Sequence, residues 1–203
     1  MSTVTIIGAG NMGSAIAWRA IAGGNEAQVL TRQPLKVAIP GATHGTVGDP
    51  LTGDIVVLAL PFGAYDEVLA QYEGQLDGKV LVDVSNPVDF STFDQLVVPA
   101  GSSAAAVLAE AVPGASVLKA FNTTFAATLR SGEVGEEKTA VLIAGDDADA
   151  KSALAGIVEA GGLRAVDAGS LKRARELEAL GFLQMTLAAA EKTSWTGGFG
   201  LTA

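Results

Sequence analysis

The protein's 203 residues carry a formal net charge of −9 and include no cysteine. The acidic balance disfavours nucleic-acid and anionic-membrane partners, and the absence of cysteine excludes disulfides, thiolate catalysis and sulfur-bound zinc. No apolar run reaches the roughly 18 residues of a membrane span, and the N-terminus lacks the pattern of a signal peptide, so we expect a cytoplasmic protein.

Apolar strand patterns alternate with helical patterns along the chain. Strands are predicted at residues 4–7, 27–30, 54–60, 79–84, 116–121, 139–144 and 164–166, with 43–47 as a candidate edge strand. Helices are predicted at 11–22, 64–76, 102–111, 124–130, 148–160 and 170–192. Irregular structure is expected over 33–53, which is rich in proline and glycine. The alternation predicts an α/β fold with a doubly wound, mainly parallel sheet.

The first predicted strand leads directly into the motif Gly8-Ala-Gly-Asn-Met-Gly13, within which a helical pattern begins. In a dinucleotide fingerprint, Gly8 would make the tight turn, Gly10 would let the backbone approach a pyrophosphate, and Gly13 would let the helix pack on the strand. The free N–H groups and the macrodipole at the helix start would bind the anion. We therefore predict a dinucleotide site here.

The second predicted strand ends in Thr31-Arg32, where an NAD-binding unit usually has a carboxylate for the ribose 2′-hydroxyl. Glu26 lies at the opposite end of that strand. A hydroxyl, a guanidinium and nearby Lys36 suit a 2′-phosphate, and each charge-assisted hydrogen bond contributes about 1.5–3 kcal/mol. Ordinary solvated loop charges are the alternative. The placement favours NADP over NAD.

Three predicted strands end in segments with neutral polar or aromatic side chains: Pro61-Phe-Gly63, Ser85-Asn-Pro87 and Ala120-Phe-Asn-Thr123. Ligands of open α/β sheets bind beyond the carboxyl ends of the strands, and amide and hydroxyl groups suit a carboxamide. Ordinary turn chemistry is the alternative reading. Together the three segments predict a nicotinamide pocket positioned by Asn86, Pro87, Asn122 and Thr123.

Candidate acid–base residues are scarce in the sequence. The only histidine, His44, lies in the irregular range, and we find no Ser-His-Asp, Cys-His or metal-ligand pattern. Reactions on hydroxyl or amino substrates normally use a placed acid or base, whereas hydride transfer between two ring cofactors mainly needs stacking, orientation and exclusion of water. The sequence therefore offers no candidate catalytic acid, base or metal ligand, and this inventory agrees with a hydride transfer of that kind.

Several segments together resemble the F420-dependent NADP reductase family, and they appear in the family's order. They are Gly8-Ala-Gly-Asn-Met-Gly13, Thr31-Arg32, Asp83-Val-Ser-Asn-Pro87, Lys119-Ala-Phe-Asn-Thr123, Ala144-Gly-Asp-Asp147 and Asp167-Ala-Gly169. The resemblance implies a Rossmann-type domain over 1–145 with a small C-terminal helical part over 146–203, usually in a homodimer; a single compact domain is the alternative. It also implies hydride exchange between NADP(H) and the deazaflavin F420 or a flavin-like ring. The range 33–53 departs from the helix expected there.

The resemblance also implies roles for individual residues. The pyrophosphate would lie along Ala9 to Met12, the 2′-phosphate at Thr31, Arg32 and Lys36, and the ribose and nicotinamide near Leu60, Pro61, Asn86 and Ala126. The cofactor-binding set is thus Gly8, Ala9, Gly10, Asn11, Met12, Gly13, Thr31, Arg32, Lys36, Leu60, Pro61, Asn86 and Ala126. The phosphate and glutamate tail of F420 would pair with Lys119, Arg130 or the basic cluster formed by Lys172, Arg173 and Arg175.

Two other functions stay open at this point. The Gly-Asn-Met-Gly start is similar to pyrroline-carboxylate reductases and β-hydroxyacid dehydrogenases, which act on small imines or carbonyls but have a long helical C-terminal half. A non-catalytic NADP-binding sensor is the second alternative.

The last predicted helix and the tail are expected to complete the second-substrate site or a dimer contact. The helix carries an apolar stripe of Leu177, Leu180, Leu183 and Leu187, and the tail carries Trp195 and Phe199. Core packing is the alternative for all of these side chains.

Overall fold

The computed structural model describes residues 2–33 and 38–202. This part of the chain forms strands β1 Thr3–Ile7, β2 Glu26–Thr31, β3 Thr43–Thr46, β4 Ile55–Leu58, β5 Val80–Asp83, β6 Ser116–Lys119, β7 Glu133–Val134, β8 Glu137–Lys138, β9 Ala140–Gly145 and β10 Arg164–Gly169. Its helices are α1 Asn11–Ala22, α2 Tyr65–Gln71, α3 Ala104–Ala111, α4 Ala126–Ser131, α5 Ala148–Ala160 and α6 Ala174–Ala189. Short 3-10 turns, Phe62–Ala64 and Leu171–Arg173, precede α2 and α6.

Eight strands form one sheet in the order β10-β9-β6-β5-β4-β1-β2-β3. The first six strands are parallel, and their order, 3-2-1-4-5-6, is that of a doubly wound dinucleotide-binding sheet. The predicted α/β fold class and the mainly parallel sheet are therefore confirmed.

The last two strands of the sheet run against the other six. β9 pairs antiparallel with β6, and β10 is parallel to β9. After β6 the chain forms α4 and the β7–β8 hairpin beyond the strand end, and β9 then starts there and runs back beside Leu118. Because no crossover helix returns the chain to the opposite edge first, β9 has the reverse direction.

The sheet is covered on both faces, which explains the continuous apolar runs of its central strands. On β4, Val57 belongs to the layer that packs against α1 and α5. Its neighbours Val56 and Leu58 belong to the layer that packs against α2 and α3.

Several element boundaries differ from the prediction. The helix predicted at 64–76 ends at Gln71, because the chain then makes tight turns in which Gly74 has φ +74°. The last helix begins at Ala174 and ends at Ala189 rather than covering 170–192. The β7–β8 hairpin, with Gly135 in its turn, was not predicted, since its strands have two residues each. The predicted domain boundary after residue 145 lies between β9 and α5.

Among the described residues, no helix is both long and apolar enough to cross a membrane. The same residues contain no group of three or more His, Cys, Asp or Glu side chains arranged to hold a metal ion.

Candidate nicotinamide cofactor site

The glycine-rich turn after β1 has three glycines in three different environments. Gly8 has φ +105°, and a Cβ atom there would collide with the carbonyl oxygen of Ala59. A Cβ on Gly13 would collide with the carbonyl oxygen of Gly8, so this glycine allows α1 to pack closely on the turn. Gly10 is exposed, and apart from its own chain neighbours no atom of the described residues lies within 4 Å of the position of its Cβ. The turn thus presents open backbone at its middle glycine only.

The start of α1 borders this open backbone. Gly10 is the N-cap of α1, and no side chain of the described residues caps the helix start. The first-turn N–H groups of a helix lack intrahelical partners and carry partial positive charge. The combination of uncapped N–H groups and open space at Gly10 suits a phosphate group.

A cleft of about 730 Å³ lies beyond the carboxyl ends of β1, β5 and β6. Its walls are the start of α1, the segments after β5 and β6, the start of α4, the end of α6 and the tail. The lining residues are Asn11, Met12, Ser14, Ala15, Asn86, Asn122, Thr124, Phe125, Ala126, Ala127, Arg130, Met185, Trp195 and Thr196. Of these fourteen described residues, Arg130 is the one with a charged side chain.

Two asparagine side chains form a hydrogen-bonded pair at the floor of the cleft. Asn122 Nδ2 donates to Asn86 Oδ1 at 2.8 Å and to the carbonyl of Leu177 at 2.9 Å. Asn86 Nδ2 donates to the carbonyl of Asn122 at 2.9 Å. Asn122 Oδ1 is buried and has no hydrogen-bond partner among the described residues. Because a buried acceptor without a partner is costly, this oxygen is suited to an N–H donor of a ligand.

The other residues predicted around the nicotinamide lie in two positions. Ala126, at the start of α4, lines the cleft with the two asparagines. Pro87 and Thr123 are buried next to them and are outside the lining set. Phe121 is also buried, with φ +66°, so the aromatic surface of the cleft comes from Phe125 and Trp195, which the strand-end pattern did not predict.

The predicted adenosine side lies at the end of β2. Thr31 Oγ1 donates to the carbonyl of Gln33 at 2.6 Å. Arg32 is exposed and forms an ion pair with Glu67 at 3.1 Å; exposed pairs of this kind contribute about 0–1 kcal/mol, so a phosphate could replace Glu67 at low cost. Lys36 lies outside the described residues.

Leu60 and Pro61 follow β4 beside the glycine-rich turn. Leu60 is half-buried, and its Cδ2 atom lies 3.0 Å from the position of a Cβ on Gly8. Pro61 is exposed.

The expectation that Lys119 binds a ligand anion is wrong. Its side chain is 0% exposed, and Nζ lies 2.8 Å from both Asp83 Oδ2 and Glu178 Oε1. Tyr65 donates to Asp83 Oδ1 at 2.6 Å. Burial raises the pKa of the Glu178 carboxyl above its usual value, although Lys119 opposes this shift. Lys119 is therefore fully occupied by two carboxylates inside the protein.

The basic cluster of Lys172, Arg173 and Arg175 is also misplaced for a ligand of the cleft. It lies at the start of α6, where Leu171 N donates to Asp146 Oδ1 at 3.0 Å. Met185, which lines the cleft, is ten residues further along α6, or about 15 Å at 1.5 Å per residue. Because β9 and β10 run in the reverse direction, the chain leaves β10 away from the cleft, and α6 begins there.

Arg130 remains as a basic group at the cleft. Its guanidinium lies 4.9 Å from the ring centre of Trp18, which also stacks with Arg19 at 4.8 Å.

His44 is exposed on β3, where its ring contacts the backbone of Ile39, and it is outside the lining set of the cleft.

The last helix and the tail have mixed environments. Leu177 is buried, Leu180 and Leu187 are half-buried, and Leu183 is 51% exposed. The Trp195 ring packs 5.0 Å from that of Phe125 and lines the cleft. The tail then bonds to α6 through Phe199 N and Gln184 Oε1 at 3.2 Å.

Two functional candidates, Asp83 and Glu178, were missed by the sequence reasoning, and a third, Lys119, was named with a different role. Asp83 and Lys119 end apolar strands, and a charge inside such a run was a usable signal for a buried pair. Glu178 has no comparable signal, because a glutamate on a surface helix has the same local pattern.

Comparison with known proteins supports this reading. A family model described as "NADP oxidoreductase coenzyme F420-dependent" matches residues 3–87. An F420-dependent NADP reductase of Methanothermobacter thermautotrophicus is 30% identical, over 88% of this chain and 85% of that protein. One from Methanocaldococcus jannaschii is 28% identical, over 71% of this chain and 66% of that protein. The metalloreductase STEAP3 of Rattus norvegicus is 32% identical over 87% of this chain, which spans only 36% of the rat protein.

Solved structures share this fold. A candidate F420-dependent NADP-reductase from Arthrobacter sp. FB24 superposes with a TM-score of 0.86 at 25% identity, covering 100% of both chains. An imine reductase from Myxococcus stipitatus in complex with NADP+ has a TM-score of 0.68 at 23% identity, over 94% of this chain and 63% of that one, a likeness of fold. The chain belongs to the F420-dependent NADP reductase family, a family of NADP-dependent oxidoreductases.

Proposed function

We propose that this protein exchanges a hydride between NADP(H) and the deazaflavin F420 or a flavin-like ring. The observation that carries the proposal is the composition of the cleft, in which three amides, two methionines and two aromatic rings accompany one charged side chain among the described residues, Arg130. Such a lining can orient two rings and exclude water, and its described residues offer no carboxylate, histidine or lysine as an acid or base.

The residues around the glycine-rich turn fit NADP. Gly10 leaves room for a phosphate beside the uncapped start of α1, and Ala9, Asn11 and Met12 would flank it. Thr31, Arg32 and Lys36 would hold the 2′-phosphate, with Arg32 exchanging Glu67 for the ligand. The cofactor, when bound, supplies the transferable hydride.

The residues on the far side of the cleft fit a planar acceptor with an anionic tail. Phe125 and Trp195 offer aromatic surface, with their rings tilted at 53° to each other, and Met185 offers an apolar contact. Arg130, held over Trp18, would bind the anionic group of the acceptor. In an otherwise acidic protein, this cation, the only one among the described lining residues, favours an acceptor that carries negative charge.

A matched pair of variants tests the acceptor side. Anaerobic assays with NADPH should show reduction of F420, and R130A should raise the KM for F420 about tenfold with little change in kcat, as loss of a charge-assisted contact predicts. R175A removes an equal charge at the start of α6, about 15 Å from the cleft, and should leave both constants unchanged. Equal effects of the two variants would contradict the proposal.

The physiological assembly is proposed to be a homodimer. Phe90 is 65% exposed, and the rings of Phe90, Phe93 and Phe182 form one aromatic surface, with successive centroids 6.2 and 6.4 Å apart. Leu183, which follows Phe182 in α6, is 51% exposed. A second copy of the chain would cover this surface. Sedimentation of the unmodified protein as a dimer and of F90D as a monomer would support this assembly; a monomeric unmodified protein would contradict it.

A further inference from the structure

The cleft asparagines rest on α6, and α6 is fixed to the sheet by a buried ion cluster. Lys119 Nζ contacts Asp83 Oδ2 and Glu178 Oε1 at 2.8 Å each and donates to the carbonyl of Ser85 at 2.6 Å. All three charged side chains of the cluster are 0% exposed. The cluster therefore joins the ends of β5 and β6 to the first half of α6.

Each carboxylate of the cluster has a second attachment. Glu178 accepts from the backbone N–H of Ala104, at the start of α3, at 3.0 and 3.1 Å. Asp83 Oδ1 accepts from the Tyr65 hydroxyl at 2.6 Å and from the N–H of Ser85 at 2.7 Å. Because a buried charge is stable only with well-placed partners, this network fixes the position of α6 relative to the sheet.

Gly181 connects the position of α6 to the asparagine pair of the cleft. It lies three residues after Glu178 and therefore on the same face of α6. A Cβ on Gly181 would lie 2.5 Å from Asn86 Oδ1 and 2.7 Å from the carbonyl oxygen of Asn122. The α6 backbone thus touches the asparagine pair directly, and the Leu177 carbonyl accepts from Asn122 one turn earlier.

We propose that Asp83, Lys119 and Glu178 are positioning residues, which hold α6 in one position relative to the sheet. In that position, Gly181 and Leu177 of α6 orient Asn86 and Asn122 toward the nicotinamide. None of the three would touch a ligand, since all are sealed below the cleft. The inference rests on the proposed function in one respect, the identification of the cleft as the nicotinamide site.

Two variants test the two ends of this connection. E178Q keeps the shape of the side chain and removes its charge, whereas G181A leaves the ion cluster intact and pushes on the asparagine pair. Matched controls are E159Q, at an exposed position of α5, and G156A, where a Cβ would meet no atom of the described residues outside the α5 backbone within 4 Å.

The readout is the ratio of two dissociation constants, measured by fluorescence and calorimetry. NADPH contains the nicotinamide, whereas 2′,5′-ADP contains only the adenosine part and occupies the far side of the site. E178Q and G181A should weaken NADPH about tenfold, as expected for one misplaced buried hydrogen bond, and change 2′,5′-ADP less than about twofold. The controls should change neither constant.

Two other outcomes of these binding measurements would contradict the inference. Equal weakening of both ligands, or no change in either, by a folded E178Q or G181A would overturn the inference. A residue with a merely structural role would weaken the binding of both ligands equally, and a residue with no role in binding would weaken neither. If E178Q does not fold, G181A alone decides. These are binding measurements, so they stand even if the unmodified protein reduces no acceptor, a result that would instead defeat the proposed function.

Discussion

Replacing Gly10 with alanine should separate cofactor binding from folding. Gly10 has φ −65° and ψ −172°, a conformation that alanine adopts readily, and apart from its chain neighbours its Cβ would meet no atom of the described residues within 4 Å. The added methyl group would instead occupy the space beside the uncapped helix start. Gly13 is the contrasting position, because a Cβ there would collide with the backbone oxygen of Gly8.

The magnitudes follow from these two environments. At Gly10, the smaller entropy of the unfolded chain stabilises by about 0.4–1 kcal/mol, while the poorer N-cap costs about 0.5–1 kcal/mol, so Tm should change by less than about 4 °C. Loss of one charge-assisted hydrogen bond to the pyrophosphate costs about 1.5–3 kcal/mol, which is roughly 10- to 150-fold in affinity. At Gly13, overpacking costs about 1–3 kcal/mol, or roughly 2–12 °C in Tm.

The assay combines thermal unfolding without ligand and titration of NADPH fluorescence for G10A, G13A and the control G156A. The expected pattern is weak NADPH binding with a normal Tm for G10A, and a lowered Tm for G13A. Tight NADPH binding by a well-folded G10A would refute the assignment of the pyrophosphate to this turn.

Three further predictions concern cofactor choice, pH dependence and stability. R32A should weaken NADPH about tenfold and leave NADH unchanged, as loss of one charge-assisted contact requires; equal NADPH and NADH affinities in the unmodified protein would contradict it. Because burial raises the pKa of Glu178, the folded protein binds this proton more tightly than the unfolded chain. The contribution of this proton to the free energy of unfolding is present below the unfolded-state pKa of Glu178 and is lost as the pH rises through its folded-state pKa. Tm should therefore fall over that pH range, and E178Q should remove the fall. Identical slopes of Tm against pH for the unmodified protein and E178Q would contradict this prediction. Arg19 donates to the carbonyls of Leu129, Arg130 and Gly161 at 2.5, 2.9 and 2.9 Å, so R19A should cost at least about 2 kcal/mol and lower Tm by roughly 4–8 °C, whereas an unchanged Tm would show that these bonds contribute nothing.

Most of the fold could be predicted from local patterns. The apolar runs of β1 and β4 are continuous because both faces of the sheet are covered, and the bounds of α1 and α5 match the predicted helices. The direction of β9 could not be predicted in this way, because an alternation of helices and strands does not specify on which edge a strand begins. That direction depends on the compact turn formed by α4 and the β7–β8 hairpin.

The site could be predicted only where the chemistry is local. The glycine-rich turn and the asparagines after β5 and β6 are sequence motifs whose position relative to the sheet follows from topology. The environment of Lys119 could not be predicted, because its second carboxylate partner is Glu178, 59 residues away. The role of the basic cluster also depended on the direction of β9 and β10, which a local pattern does not contain.

The central claim is direct hydride transfer between NADPH and F420 in the cleft beyond β1, β5 and β6. Stopped-flow mixing of the protein with F420 and NADPH stereospecifically deuterated at C4 tests it most directly. We predict loss of the visible absorbance of F420, a slower rate with the deuterated cofactor, and deuterium in the reduced F420. No transfer to F420, together with rapid reduction of a small carbonyl or imine, would contradict the claim.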